Sequence, residues 1–379
     1  MVLQFSSPTK VLMGDGALEQ LGTEVSRLGK RPLLVTDPGV AASGLVDLVK
    51  APLDAAGIET VVFDGVGGNP TVEQVMACLS ALRASSSDVL VAVGGGSAMD
   101  VSKAAAVLAT NGGEVADYEG FDRIAKPAAP VIAVPTTVGT GSEVTKGAVI
   151  TNSSTKVKMV IVSDFMFPAI AVLDARMVAS LPGHIAAGTG MDALTHAIEG
   201  YVAKGANPLT DALNLAAISA IGRHLRPAVA GDSTALYEML IASCMAGAGF
   251  HDAGLGLVHA LANTLGGHFG VHHGTANALF LPYVMEFNVP ANPPKFAAIA
   301  VALGEPTAGL STIAAAKRAP ALVHELAADI GVARTLTELN IPADAIPQLA
   351  EDALTQIDRP GNPRSNSKAD LEALYRAAL

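Results

Sequence analysis

The sequence has little of what supports an aromatic or disulfide-stabilised core. It contains no tryptophan and only two cysteines, and aromatic residues make up 4% of the chain. Small apolar side chains, mostly Ala, Val, Leu and Gly, favour helices packed closely around a parallel sheet over an aromatic-rich β-sandwich. Cys78 and Cys244 each lie in an apolar helical stretch. We therefore expect two buried thiols in a reducing cytosol.

Basic residues and long apolar runs are also scarce. The 24 Lys and Arg against 35 Asp and Glu give a net charge of −11, which argues against a basic face for nucleic acid. No run of about 18 residues is apolar without interruption, and the N-terminus lacks the features of a signal peptide. We expect a cytoplasmic protein with neither a membrane nor a nucleic-acid partner. Its 379 residues suggest two domains.

The periodicity of apolar residues changes near residue 180. Before it, runs of buried-strand length alternate with helical stretches and glycine turns, at residues 30–37, 60–63, 88–93, 131–135 and 169–173. Residues 147–151 and 157–162 read as a hairpin whose turn is 152–156. From residue 184 onward the pattern is helical throughout. The sequence predicts an α/β domain over residues 1–180 and an all-helical domain over residues 181–379.

Two polar, glycine-rich turns follow strands of the α/β half. Residues 94–100 follow one strand at once and open a helix, and residues 136–143 follow the next with hydroxyls and glycines. Such turns present backbone N–H groups and a helix N-terminus to an anion, at the edge where parallel sheets bind ligands. The pattern predicts a dinucleotide site. The alternative for the first turn is a tight turn with Ser97 as N-cap, since it is not the Gly-x-Gly-x-x-Gly fingerprint.

Two charged side chains are candidate ribose contacts. Asp37 ends a predicted strand and could accept hydrogen bonds from a ribose diol, which favours NAD over NADP. It could equally start the turn at Pro38-Gly39. Lys158 begins the second hairpin strand and is a candidate ribose or phosphate contact, with a solvated surface lysine as the alternative.

The helical half carries a candidate metal site. Asp192 and His196 are four residues apart, which places both side chains on one helical face. His259 lies in another helical stretch, and His273 ends the glycine- and histidine-rich loop after it. One carboxylate oxygen and three imidazole nitrogens suit Fe(II) or Zn(II). Spacing alone does not choose among His268, His272 and His273 for the fourth ligand.

Taken together, these runs resemble the iron-containing (group III) alcohol dehydrogenase family. The motifs that carry the likeness are Gly94-Gly-Gly-Ser-x-x-Asp100, Pro135-Thr-Thr-x-Gly-Thr-Gly-Ser-Glu143, Gly190-Met-Asp-Ala-Leu-Thr-His-Ala-Ile-Glu199 and Gly254-Leu-Gly-Leu-Val-His259. The resemblance covers essentially the whole chain. It implies a Rossmann-like N-terminal domain, an all-α C-terminal domain in a dehydroquinate synthase-like architecture, an active site in the cleft between them, and homodimers or larger oligomers.

The resemblance also implies roles for individual residues. It places the metal on Asp192, His196, His259 and His273, the last two counted as catalytic residues. It places NAD on Asp37, Asn69, Gly95, Gly96, Ser97, Thr136, Thr137, Val149 and Lys158. The expected reaction is NAD-linked oxidation of small alcohols, or reduction of the aldehydes, with hydride leaving a metal-bound alkoxide. Fe(II) is the first choice of metal and Zn(II) the second.

Two positions depart from the family pattern. Family members commonly carry a histidine where this chain has Asn263, and that histidine is a proposed proton relay. Asparagine cannot take up a proton near neutral pH, so His251, His268, His272, water or the ribose hydroxyls would have to serve. The run Phe250-His-Asp-Ala253 replaces the more usual Phe-Ser-Asn-Ala.

Three other functions fit the same residues. A related enzyme could reduce a semialdehyde acid, a polyol ketone or maleylacetate, although residues 245–275 hold no obvious Arg/Lys cluster for a dianion. A lyase of the dehydroquinate synthase type would use NAD without net formation of NADH. A non-catalytic NAD or metal sensor is the third alternative.

Overall fold

The computed structural model describes residues 3–153 and 157–379, so most of the predicted hairpin turn lies outside the described residues. The chain forms two compact units. The α/β unit comprises Ser7–Thr137 and Gly141–Ser180, and the helical unit comprises Leu181–Leu379 together with Val138–Thr140 and the N-terminal segment up to Ser6. The single division predicted between residues 180 and 181 stays a prediction, since these units also assign two short earlier segments to the helical unit.

The α/β unit is built on a parallel sheet. Within the described residues the strands are β1 (Lys10–Met13), β2 (Pro32–Val35), β3 (Val61–Phe63), β4 (Val89–Gly94), β5 (Gly120–Phe121), β6 (Val131–Pro135), β7 (Gly147–Asn152), β8 (Val157–Val162) and β9 (Ile170–Leu173). The main sheet has the order β1-β9-β6-β4-β2-β3, and its paired strands run parallel. β2, β4, β6 and β9 are buried at every position. Their uninterrupted apolar runs are what a sheet covered on both faces requires.

Helices cover both faces of this sheet. They are α1 (Leu21–Leu28), α2 (Pro38–Ala42), α3 (Leu45–Ala55), α4 (Val72–Ala84) and α5 (Gly96–Asn111). Apolar side chains of α4 and α5 form one core cluster with the strands, and those of α1 and α3 form another. The unit is therefore doubly wound, and the carboxyl ends of β2, β4 and β6 meet at one edge of the sheet.

A smaller sheet contains the predicted hairpin. β7 and β8 pair antiparallel with Asn152 opposite Val157, and β5 adds to β8 in the order β5-β8-β7. The strands β1 and β5 were not predicted from the sequence. Both are short and only partly buried, so neither carries an apolar run.

The helical unit contains α6 (Gly183–Val202), α7 (Pro208–Val229), α8 (Ser233–Phe250), α9 (Leu257–Phe269), α10 (His273–Asn288), α11 (Pro293–Ala302), α12 (Thr312–Ala316), α13 (Arg318–Asp329), α14 (Ile346–Ala353) and α15 (Lys368–Ala377). Every residue of α6 from Ala186 to Val202 is buried. Gly190 of α6 admits Leu225 of α7 and Met239 of α8, which would collide with any side chain there. Polar side chains on so buried a helix need polar partners. Among the described helices, none combines the length and apolarity that a membrane span requires.

Candidate functional site

The predicted nucleotide turns meet at the carboxyl edge of the main sheet. Asp37 follows β2, and its Oδ1 accepts a hydrogen bond from the N–H of Val40 at 2.9 Å as the N-cap of α2. Its Oδ2 lies 3.6 Å from the place of a Cβ on Gly94, the last residue of β4. Gly94 has φ +157°, a conformation that L-residues rarely adopt. Thr136, the first residue after β6, donates its N–H to the carbonyl of Gly94 at 3.0 Å.

Helix α5 begins at this edge of the sheet, and no side chain of the described residues caps its N-terminus. Its N-cap is Gly95, so the interpretation of Ser97 as N-cap is wrong. The Ser97 hydroxyl instead donates to the carbonyl of Gly68 at 3.1 Å, beside the exposed Asn69. A Cβ on Gly95 would lie 3.1 Å from the Thr137 methyl group. An uncapped helix N-terminus with backbone accessible at glycine suits a pyrophosphate.

Val149 and Lys158 lie on the smaller sheet of the same unit. Lys158 is opposite Thr151 in the β7–β8 register, and Val149 shares the face of Thr151. The N–H of Val149 donates to Asp100 Oδ2 at 2.9 Å. Burial lowers the pKa of Lys158. The structure places all nine predicted NAD residues in the α/β unit, and their role in NAD binding stays a prediction.

A buried lysine that sequence analysis missed holds these turns together. Lys103 of α5 is fully buried, and its Nζ donates to the carbonyls of Gly147 at 2.6 Å and Ser142 at 2.9 Å. Burial lowers the pKa of Lys103, opposed by the charges of Asp100 and Glu143. Asp100 in turn accepts from the Ser142 hydroxyl at 3.0 Å. The spacing of Asp100 and Lys103, three apart on a helix, is the signal that could have identified this pair.

The four predicted metal ligands converge within the helical unit. Asp192 and His196 come from α6, His259 from α9 and His273 from the start of α10. One ligand atom from each lies within 4.8 Å of all the others. Asp192 Oδ1 is 3.8 Å from His196 Nε2 and 3.6 Å from His273 Nε2. We call these four residues the quartet.

The quartet fits a divalent cation in both spacing and chemistry. Tetrahedral bonds of about 2.0–2.2 Å would hold ligand atoms about 3.4 Å apart, close to the separations found. Asp192, His196 and His259 are buried, while the side chain of His273 is 37% exposed. The quartet is therefore anchored in the core and reachable at His273, as a site that exchanges a substrate requires.

The protonation of Asp192 and His196 also suits a cation. Burial raises the pKa of Asp192, but the three neighbouring imidazoles outweigh it and the net pKa is lowered. Burial lowers the pKa of His196 overall. Burial also acts to lower the pKa of His259, but the hydrogen bond that its ring donates to Glu199 and the charge of that carboxylate raise the net pKa. The carboxylate is thus ionised, and His196 is neutral with a lone pair to donate.

Stacking fixes the orientation of two of the rings. His196 stacks on Phe250 with ring centroids 4.4 Å apart, and on His259 at 4.9 Å. His196 Nδ1 lies 3.3 Å from the carbonyl of Gly139, which leaves its Nε2 to face Asp192. A Cβ on Gly139 would lie 2.5 Å from the carbonyl oxygen of Thr189, so glycine is required for this approach.

Asn277, which sequence analysis missed, reaches into the quartet from α10. Its Nδ2 donates to Asp192 Oδ1 at 2.6 Å and lies 3.1 Å from His273 Nε2 and 3.3 Å from His259 Nε2. Its Oδ1 is buried without a hydrogen-bond partner among the described residues. One turn separates it from His273, and that spacing is the signal that could have identified it.

The remaining candidate histidines have other partners. His268 pairs with Asp352 on the surface at 2.7 Å. His272 is exposed and lies beside Gly188 of α6. Both ring nitrogens of His251 face carbonyls, Ser6 at 2.7 Å and Gly247 at 3.1 Å, while Asp252 accepts the N–H of Ser6. The His251-Asp252 pair therefore fastens the N-terminal segment to the helical unit.

Comparison with known proteins identifies the family. The profile described as iron-containing alcohol dehydrogenase matches residues 8–175, and that of the C-terminal domain of the Fe-containing alcohol dehydrogenase family matches residues 186–379. The chain belongs to the iron-containing alcohol dehydrogenase family. It is 43% identical to 1,3-propanediol dehydrogenase of Klebsiella pneumoniae, over 98% of this chain and 97% of that protein.

Two further similar proteins match this chain over nearly its full length. NAD-dependent methanol dehydrogenase of Bacillus methanolicus is 38% identical over 99% of both chains. The crystal structure of a 1,3-propanediol oxidoreductase superposes with a TM-score of 0.98 at 42% identity, covering 100% of both chains. The predicted family, the predicted fold class and the prediction of a metal-dependent, NAD-linked alcohol dehydrogenase are confirmed.

Asn263, the departure from the family pattern, faces a carboxylate. Its Nδ2 lies 3.4 Å from Asp358 Oδ2, a long hydrogen bond. Burial raises the pKa of Asp358 to about 6. Local spacing does not predict this contact, because 95 residues separate Asn263 from Asp358.

Proposed function

We propose that this dehydrogenase interconverts small aliphatic alcohols or diols and their aldehydes with NAD, at a single metal ion held by Asp192, His196, His259 and His273. The observation that carries the proposal is the convergence of one carboxylate and three imidazoles from three helices. The names of the relatives support a substrate of few carbons, since one acts on propanediol and another on methanol. Cytoplasmic location and a homo-oligomeric state stay predictions.

A divalent cation held by the quartet supplies Lewis acidity that lowers the pKa of an alcohol. Fe(II) remains the first choice and Zn(II) the second, because nitrogen and oxygen ligands accept either and supply in the cell decides between them. Asp192 contributes the negative charge that offsets the cation. Its pKa, lowered by the surrounding imidazoles, keeps it ionised over the neutral range.

The protein's own residues orient both reactants for hydride transfer. The stack of Phe250, His196 and His259 holds two imidazoles of the quartet in fixed orientations. In the α/β unit, the uncapped start of α5 and the backbone around Gly94 would hold the pyrophosphate of NAD, and Asp37 would accept a hydrogen bond from its ribose. NAD bound there would supply the acceptor for the hydride of the alcohol carbon, and the hydroxyl proton would leave to solvent.

The test is a reconstitution experiment with a substrate panel. Enzyme stripped of metal by a chelator is expected to lose at least about 100-fold in kcat, and anaerobic Fe(II) or added Zn(II) should restore it. NADH is followed at its absorbance maximum with methanol, ethanol, 1,3-propanediol and their aldehydes, and with semialdehyde acids and maleylacetate for comparison. The largest kcat/KM is expected for uncharged substrates of about three carbons or fewer.

Full turnover after complete metal removal would contradict the metal role. A higher kcat/KM for maleylacetate or a semialdehyde acid would contradict the substrate class. Asp192→Ala, which removes the one anionic ligand, should bind metal at least about 100-fold more weakly. A variant that retains both metal and turnover would contradict the ligand assignment.

A further inference from the structure

A buried glutamate lies directly behind the quartet. Glu199 follows Asp192 by seven residues and His196 by three on α6, so the three side chains share one face of the helix. Glu199 is 4% exposed. A carboxylate in so apolar a setting is costly unless it accepts several hydrogen bonds.

Glu199 receives those hydrogen bonds from the start of α9. Its Oε1 accepts from the N–H of Val258 at 2.7 Å, and its Oε2 from the N–H of Gly256 at 3.1 Å. The first turn of a helix offers N–H groups that have no partner within the helix, and its dipole favours an anion there. Gly256 makes room, because a Cβ at that position would lie 2.9 Å from the carboxylate.

The same carboxylate binds the ring of a quartet member. His259 Nδ1 lies 2.7 Å from Glu199 Oε2. A carboxylate can only accept a hydrogen bond, so Nδ1 must carry the proton, and in the neutral ring Nε2 then carries the lone pair.

We propose that Glu199 is a positioning residue for the metal: it holds His259 in the Nδ1–H tautomer and directs the Nε2 lone pair into the quartet. This inference rests on the proposed role of the quartet. Glu199 touches neither substrate nor metal and acts only through His259. It joins two functions in one side chain, because the hydrogen bonds that anchor α9 also set the angle at which His259 enters the site.

The decisive variant is Glu199→Gln. Glutamine keeps the shape of the side chain and one acceptor oxygen. Its amide N–H group, however, faces the N–H groups of Gly256, Val258 or His259, which also need an acceptor. His259 can then satisfy the amide only by accepting at Nδ1, which puts its proton on Nε2. Metal affinity is expected to fall about 10- to 100-fold. The Kd for Zn(II) is measured by competition with a chromogenic chelator.

A second readout follows the tautomer in metal-free protein. Nitrogen-15 chemical shifts of labelled histidine distinguish a protonated Nδ1 from a protonated Nε2, and His259→Ala identifies the signal. We expect the Nδ1–H form in the unsubstituted protein and a gain of the Nε2–H form in Glu199→Gln. Glu199→Asp, which keeps an acceptor-only group, should retain the Nδ1–H form and restore part of the affinity.

Asp358→Asn is the matched control. Asp358 is a second buried carboxylate whose charge raises the pKa of His259, but its hydrogen bond goes to Asn263. Its replacement should leave the tautomer unchanged and alter the Zn(II) Kd by less than about threefold. An equal effect from both substitutions would show that charge alone matters and would overturn the proposal.

Failure of the proposed function and failure of the inference about Glu199 would give different results. If the unsubstituted protein binds no metal, the proposed function fails, while the tautomer experiment still tests Glu199. If Glu199→Gln keeps both the Nδ1–H tautomer and the unsubstituted Kd, the inference about Glu199 is wrong and the quartet stands. Circular dichroism melting of each metal-free variant shows whether the fold is retained.

Discussion

Among individual residues, Glu143 has a buried carboxyl group that is not fully hydrogen-bonded within the described part of the chain. It is 1% exposed, and its Oε1 has no hydrogen-bond partner among the described residues. Burial raises the pKa of Glu143 to about 7, although a backbone hydrogen bond and the nearby Lys103 act to lower it. A pKa above the unfolded value means that the folded state holds its proton more tightly. The contribution of Glu143 to stability is therefore most favourable at low pH and is lost as pH rises from about 4.5 through 7.

Glu143→Gln should remove this pH dependence. At pH 8 the glutamine variant is expected to be more stable than the unsubstituted protein by about 2 kcal/mol, and near pH 5 by less than about 1 kcal/mol. Calorimetric melting temperatures from pH 5 to 8 measure the difference. Glu24→Gln is the contrasting control, because the hydrogen bond from Lys10 lowers the pKa of Glu24, so its loss should destabilise at neutral pH. A difference in melting temperature between Glu143→Gln and the unsubstituted protein that does not change with pH would contradict the prediction.

At the scale of elements, the start of α10 is set by its contact with α6. A Cβ on Gly274 would overlap the backbone carbonyl of Gly188, and no movable side chain could relieve this collision. His273 is the residue before Gly274, while Asp192 and His196 lie on α6. The close approach of these two helices therefore determines the separation of the quartet's ligands.

Gly274→Ala should separate α10 from α6 and loosen the quartet. We expect a loss of about 1–3 kcal/mol in stability and at least about a tenfold rise in the Zn(II) Kd. Gly267→Ala is the matched control: this glycine is exposed on α9, nothing lies within 4 Å of an added Cβ, and alanine should stabilise the helix by up to about 1 kcal/mol. Melting curves and chelator competition measure both effects. Metal affinity unchanged in Gly274→Ala would show that the contact does not position His273.

At the scale of the whole molecule, the two predicted ligands belong to different units. The quartet lies in the helical unit, and the predicted NAD residues lie in the α/β unit. A ligand that binds only the folded state stabilises the structure around its own contacts first.

Hydrogen exchange followed by mass spectrometry should separate the two ligands. Zn(II) or Fe(II) is expected to give its largest protection in peptides of α6, α9 and α10. NAD is expected to give its largest protection in peptides that contain residues 94–97 and 136–137. The metal-free Asp192→Ala protein serves as the control and should lose the first effect while keeping the second. Protection by metal that is greatest in β2 or β4 would contradict the assignment.

The sequence by itself determined the fold class and the types of site. Continuous apolar runs specify strands buried on both faces, and for that reason β4, β6 and β9 fall within a residue or two of their predicted bounds. Helical spacing put Asp192 beside His196, and the family resemblance selected His273 from three neighbouring histidines. Edge strands β1 and β5 lack an apolar run and left no such pattern.

Only the tertiary structure decided which distant residues meet. His259 and Glu199 are 60 residues apart and Asn263 and Asp358 are 95 apart, and no local spacing encodes either contact. Asn277 and Lys103 lie at helical spacing from predicted residues, yet their partners come from other elements. Periodicity reports which face of an element is buried, whereas packing decides what that face touches. The quartet was therefore foreseeable from sequence, and the contact of Glu199 with His259 was not.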